Sequence, residues 1–460
     1  MGGMLLTGTV LTGMLTARAL SAARASEGIP SPLAPGGIPS PAETIAPVEP
    51  REKGEQVSEE KLPNGMTFIY QGRPGCGTYA ITLATTGGSF EDPEEHLGLT
   101  NVLAEMLLRG TPSRSGPDLA RQVERTGSSL AASGGMTAVE LQAVGPAAAF
   151  GEVFDILADA ARHPLLATED LSKEIALEQQ ALRTSLDNPS SELMRTGRPV
   201  LFRDHKLGRV PNPETYLQKL DIEPLRAAYR KRFVGQRLVV VIVGEVEPAA
   251  ARQRVTAAFG DLEPGIATTL PFPRPEPLRE EPRARARRRT SQPELLVAMP
   301  TAGVADEDEP AMDLLSNILG GFQERLSTKL REERGWAYWV SVAEWRFPGM
   351  GLFGVQTAVP KRHLDDAEKI IREELHRIST EPPSPEEVER ARRFTLTELA
   401  RAWQQSLTRA AAFATAAVRG RPPRGYEERV QRYGSVTPEA IRDLARRLLE
   451  SSRLAAVKRY

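Results

Sequence analysis

The sequence is poor in the residues that build disulfides and metal sites. Its 460 residues include one cysteine, Cys76, and five histidines. A lone thiol excludes an internal disulfide framework and any cysteine-rich zinc module. The histidines, at 96, 163, 205, 363 and 376, are scattered, and no two share a helical turn. An excess of one charge is missing too. Fifty-nine Lys and Arg against 60 Asp and Glu leave a net −1, so nothing electrostatic points to a nucleic-acid partner. Beyond the N-terminal segment, no run is long and apolar enough to span a bilayer.

What is present describes a globular chain too long for one ordinary core, with 40 % apolar and 26 % charged residues. Residues 1–25 have the outline of a signal segment. "MLLTGTVLTGM" (4–14) is apolar, and "ARA" (23–25) fits a small-residue cleavage site, although no Lys or Arg precedes Arg18. The alternative is a tail with no export role. Residues 26–56 repeat "GIPSP" at 28–32 and 37–41 and read as an extended, Pro-rich tether.

From residue 57 the pattern becomes alternating strands and amphipathic helices. "MTFIY" (66–70) and "YAITLATT" (79–86) read as strands before a helix beginning near residue 95. A Pro-rich break at 264–282 separates this half from residues 283–460, where the order returns as strand "ELLVAMP" (294–300) and a helix over 308–319. Arg283–Arg289 alternates with strand period and reads as a solvated edge strand, with nucleic-acid contact the second option. Residues 222–243 and 436–457 both run from a Pro-started helix into an apolar strand. The expected fold is therefore α+β: two homologous domains, 57–263 and 283–460, each an antiparallel-rich sheet covered by helices, from an internal duplication. The longest helix is expected to start at Ser384, with Pro385 at its first position and Glu387 closing a capping box, and to run to Gly420.

The most informative stretch is "GLTNVLAEMLLRGT" (98–111). Leu99, Val102, Leu103, Met106 and Leu107 make one apolar helix face, while Asn101, Ala104 and Glu105 lie together on another. That geometry suits a helix-borne metal site. The chemistry does not, because an amide and a methyl are no zinc donors and one carboxylate is too few.

The surrounding "GGSFEDPEEHLGLTNVLAEMLLRGT" (87–111) resembles the pitrilysin/insulinase-like zinc peptidases, the inverzincins, whose helix carries H-x-x-E-H. In that frame the first His falls on Asn101, the catalytic Glu on Ala104 and the second His on Glu105. The family's last ligand, a Glu before a D-N-P-like segment, falls near Gln180 within "EIALEQQALRTSLDNP" (174–189), with Glu174 and Glu178 as the other candidates. In "GSSLAASGG" (127–135), the place of the family's substrate-pairing edge strand, Ala131 stands where an Asn is common.

The resemblance extends over residues 57–460. "NILGGFQERLSTKLREERGWAYWVSV" (317–342) resembles the family's zinc-less half, where an Arg and a Tyr seven apart line the substrate chamber. Arg331 and Tyr338 have that spacing, with Gly335 placed to end the intervening helix. The alternative makes Arg331 a helix C-terminal charge and Tyr338 a strand core residue. The resemblance implies a non-catalytic, substrate-binding subunit, without a metal of its own, that completes the chamber of a homologous zinc-bearing H-x-x-E-H partner. It would handle unfolded or short peptides. It would be exported to the bacterial periplasm, with no membrane span once the signal is removed. The rival is a structural or assembly core protein with no peptide handling. Export is checked by the intact mass of protein from its native cell: the expected chain begins after Ala25, and one still starting at Met1 contradicts export.

Overall fold

The computed structural model describes residues 56–286, 293–321 and 324–460. Residues 1–25, the tether up to 55 and Arg287–Arg289 lie outside them. In the first half, β1 (Val57–Lys61), β2 (Thr67–Gly72) and β3 (Thr78–Thr86) lead to the short α1 (Leu99–Met106) and to α2 (Gly116–Arg125). Then come β4 (Ser129–Gly134), β5 (Ala138–Pro146), α3 (Phe150–Arg162), α4 (Thr168–Ser185), α5 (Pro189–Phe202), α6 (Ile222–Arg232), β6 (Leu238–Gly244) and α7 (Pro248–Phe259). The sheet order is β1-β2-β6-β3-β5-β4. Only β2 and β6 pair in parallel.

Residues 263–282 contain neither helix nor strand. The second half supplies β7 (Arg283–Arg285), β8 (Glu294–Thr301), α8 (Glu309–Gly320), β9 (Trp339–Phe347) and β10 (Met350–Ala358). It continues through α9 (Leu364–Thr380), α10 (Pro385–Trp403), α11 (Ser406–Val418), α12 (Tyr426–Gly434), α13 (Pro438–Ser451) and β11 (Ala455–Arg459). Its sheet runs β9-β10-β8-β11-β7, again with one parallel pair, β11 with β7. Reversed, this order repeats β2-β6-β3-β5-β4 strand for strand, so the duplication is visible in topology. The expected Arg-rich edge strand is β7, at the sheet's margin.

The central strands are apolar on both faces, as strands covered twice must be. In β6, Leu238, Val240 and Ile242 join α1, α3 and α6 in one core, while Val239, Val241 and Val243 belong to another. In β8, Leu295, Val297 and Met299 face α8, α9 and α13, whereas Leu296 and Ala298 face the opposite way. Each opposite face is covered by a helix from the other half. Phe413, Ala410 and Ala414 of α11 close the first sheet against Ile69, Val239 and Val241. Leu193, Leu201 and Phe202 of α5 close the second against Leu296, Leu352 and Val457. Gly197 permits this approach, because a Cβ there would stand 3.2 Å from Leu296.

This exchange corrects the single helix expected over 384–420. The capping box forms, with Ser384 accepting from the Glu387 amide and Glu387 from the Ser384 amide. The helix then stops at Trp403, Gln405 is extended (φ −91°, ψ 124°), and α11 starts afresh. The break lets α11 turn onto the other sheet. Trp403 is buried edge-on to Phe413 at 5.9 Å, and Arg409 donates to the Trp403 carbonyl (2.5 Å). With cores shared in this way, the chain is expected to melt in one transition. Phe413→Ala should destabilise it by about 3–5 kcal/mol. Calorimetry resolving two separate transitions would contradict the shared core.

Candidate functional site

α1 begins on Gly98, whose φ of +93° is left-handed, and its first turn is held from below by a buried carboxylate. Asp92 accepts from the Thr100 amide (3.1 Å) and hydroxyl (2.5 Å), and buried Arg232 donates to it at 3.1 Å. Burial pushes the Asp92 carboxyl up from its ordinary value, against the pull of Thr100 and Arg232. The apolar face foreseen for this helix is the core face, and Ala104 belongs to it with no exposed surface. Asn101 and Glu105, one turn apart, are half-buried.

α4 packs beside α1. Its Glu174 is buried and paired with Arg109. Glu178 stands close enough to Tyr216 to act on its phenol, and the Gln179 amide donates to the Tyr216 carbonyl (2.7 Å). Gln180, the position counted back from "LDNP", lies on the exposed side and bonds only within its own helix, to Thr184 (3.4 Å). The α4 residues turned toward α1 are therefore Glu174 and Glu178, four apart on one face.

Tyr216 was not among the residues singled out from sequence. It comes from residues 203–221, which show no periodicity, and it is 7 % exposed. Its phenol lies beside the Asn101 side chain and sits on Gly98, where a Cβ would be 2.1 Å from the hydroxyl. Burial first, then the Glu178 and Asp92 carboxylates, push this phenol up; the Asn101 contact acts the other way.

A zinc ion needs three or four good donors. Here Asn101 is a neutral amide beside Tyr216, Ala104 is a core methyl, Glu174 is paired with Arg109, and Glu105 and Glu178 add only two carboxylates. Among the described residues no three His, Cys, Asp or Glu gather as a metal site. The residues present do not fit the group.

In the second half, Arg331 lies in a π-helical turn, Thr328–Glu332, a local unwinding common at functional sites. Gly335 (φ +63°) ends it, its amide donating to the Arg331 carbonyl (2.9 Å), while Trp336 and Ala337 both donate to Leu330 (2.8 and 3.0 Å). Tyr338 precedes β9 rather than lying within it. It is 71 % exposed, so it is no core residue. Arg331 is exposed on the same turn. Beside them Trp336 stacks on His363 at 4.2 Å. Both sheets end in an edge strand, β4 in the first and β9 in the second, and Ala131 lies in β4.

Two family models match in tandem: insulinase (peptidase family M16) over residues 68–208, and the peptidase M16 inactive domain over 219–394. A protein described as an uncharacterised zinc protease of Streptomyces coelicolor is 27 % identical, over 76 % of this chain and 79 % of its own length. One from Mycobacterium bovis is 24 % identical over 91 % and 94 %. Among solved structures, an M16 inactive domain from Pseudomonas fluorescens superposes with a TM-score of 0.76 at 17 % identity, covering 88 % of this chain and 98 % of that one. A protease from Helicobacter pylori gives 0.79 at 14 %, over 88 % and 99 %. Elemental analysis of the purified chain is expected to show no stoichiometric zinc. One tightly held zinc per chain, lost in Glu105→Gln or Glu178→Gln, would contradict the reading of this cleft.

Proposed function

We propose that this chain, a member of the insulinase-like M16 peptidase family, is the non-catalytic, substrate-binding subunit of a two-chain zinc peptidase. The observation that carries the reading is a contrast between the halves. The α1 positions that would hold metal are a neutral amide, a core methyl and one carboxylate, whereas Arg331 and Tyr338 stand exposed on either side of Gly335. A homologous partner with an intact H-x-x-E-H would hold the zinc, which supplies carbonyl polarisation and an activated water. Peptides, unfolded or short, would lie between the two chains.

This chain's part is binding and charge placement. The Tyr338 phenol donates a hydrogen bond to the oxyanion that develops on the peptide carbonyl. The Arg331 guanidinium, carried on the π-turn that Gly335 ends, donates to a carbonyl or carboxylate of the peptide. Export to the periplasm, with the tether retained, belongs to the same proposal. Among the described residues no helix is long and apolar enough to cross a membrane.

The test is peptide cleavage by the reconstituted pair, with pair formation checked separately by size. Tyr338→Phe is expected to lower turnover by on the order of 10²–10³. Arg331→Ala should weaken peptide binding as well, and neither change should impair pairing. Full activity in the double variant would move the chain to the structural, assembly class.

A further inference from the structure

α5 carries a cation, Arg198, with no ion-pair partner among the described residues. The Arg198 Nε donates to the Leu207 carbonyl at 2.7 Å, and its guanidinium lies 5.9 Å from the centre of the Trp345 indole. That indole is itself immobilised, stacked on buried Phe202 with ring centres 5.8 Å apart and planes within 6°. The head group is thus held by a carbonyl on one nitrogen and by the flat indole. Among the described residues no Asp or Glu forms an ion pair with it, and its two terminal nitrogens have no acceptor.

Other half-buried arginines have carboxylates near them. Burial lowers Arg419 and Arg429 too, but Glu309 acts on both and Asp313 on Arg429. Burial lowers Arg198 to about 10, and no carboxylate opposes it. A partly desolvated, unpaired cation subtracts from fold stability. The stacking with Trp345 recovers only part of that. What the arrangement does offer is a fixed fork of N–H donors with one open edge, the geometry that takes a carboxylate in two parallel hydrogen bonds.

Position supplies the second argument. Trp345 lies in β9, the edge strand that Tyr338 immediately precedes. From Tyr338 to Trp345 is seven residues of extended chain, about 23 Å at the usual strand rise. We propose that Arg198, seated on Trp345, binds a carboxylate of a peptide whose other end, about seven extended residues away, lies at the Arg331–Tyr338 turn. This rests on the reading of the chain as a peptide-binding subunit. The ligand is a peptide longer than the immediate cleavage site needs, with its negative charge on the chain terminus or on an Asp or Glu side chain.

The test uses the full chain and three fluorescent heptapeptides of one sequence: the free acid, the amide, and the amide with Glu at the last position. Binding of the free acid is expected to exceed that of the amide by about tenfold, the order for one charge-assisted pair. A matching gain for the Glu amide assigns the site to carboxylates generally, and its absence assigns it to the chain terminus. Arg198→Met should erase the preference while leaving the melting temperature unchanged or higher, because an unpaired cation is removed. A lower melting temperature with the preference intact would make Arg198 structural and overturn the proposal.

Arg331→Ala separates the two readings. It should weaken acid and amide alike and leave their ratio unchanged. If the wild type binds none of the heptapeptides, the peptide-subunit reading fails on its own. N-acetylglycine and its amide then probe Arg198 directly through tryptophan fluorescence. A response to the acid alone, lost in Arg198→Met, sustains the carboxylate site, and equal responses overturn it.

Discussion

Each sheet of this protein has two apolar faces, and its own half covers only one of them. The other is closed by a helix that crosses from the opposite half: α11 on the first sheet, α5 on the second. Burial of these faces is a hydrophobic contribution that neither half can secure alone. It follows that the halves are bound together by their cores rather than by the Pro-rich segment that joins them in sequence. The placement of one site relative to the other is set by that packing. The helix α1 and the segment from Leu330 to Ala337, which carries Arg331 to the edge of Tyr338, are both anchored in these cores.

The same packing accounts for a helix over residues 99–106 whatever its polar positions carry. Leu99, Val102, Leu103, Met106 and Leu107 build the first core whatever stands on the other positions. Ala104 adds a methyl to that core, and Tyr216 settles onto Gly98 and Asn101. The buried Asp92–Arg232 pair below the helix then holds its first turn in place. Such a pair stabilises little in itself, but removing one partner leaves a buried charge. A helix held in this way keeps its place by packing alone.

Much of this was legible in the chain. The continuous apolar run of "ELLVAMP", the Ser384–Glu387 capping box, the helix start at Pro438 and the Gly335 stop all act over a few residues, and each appears where the pattern puts it, whereas α6 starts at Ile222, two residues ahead of Pro224. Counting residues back from "LDNP" pointed to Gln180, however, and the helical phase of α4 turns Glu174 and Glu178 toward α1 instead.

What local pattern could not decide was which surface each segment meets. An apolar helix such as α11 carries no mark of the sheet it will cover, and that choice rests on contacts between residues more than 300 positions apart, such as Arg409 with Gln71. For the same reason Tyr216 and the unpaired charge of Arg198 had no signature in sequence. The periods of 2 and 3.6, the caps and the chemistry of individual side chains are properties of neighbours along the chain, and the sequence determined them. The exchange of helices, the exposure of Tyr338 and the company each charge keeps are properties of neighbours in space, and only the tertiary packing decided them.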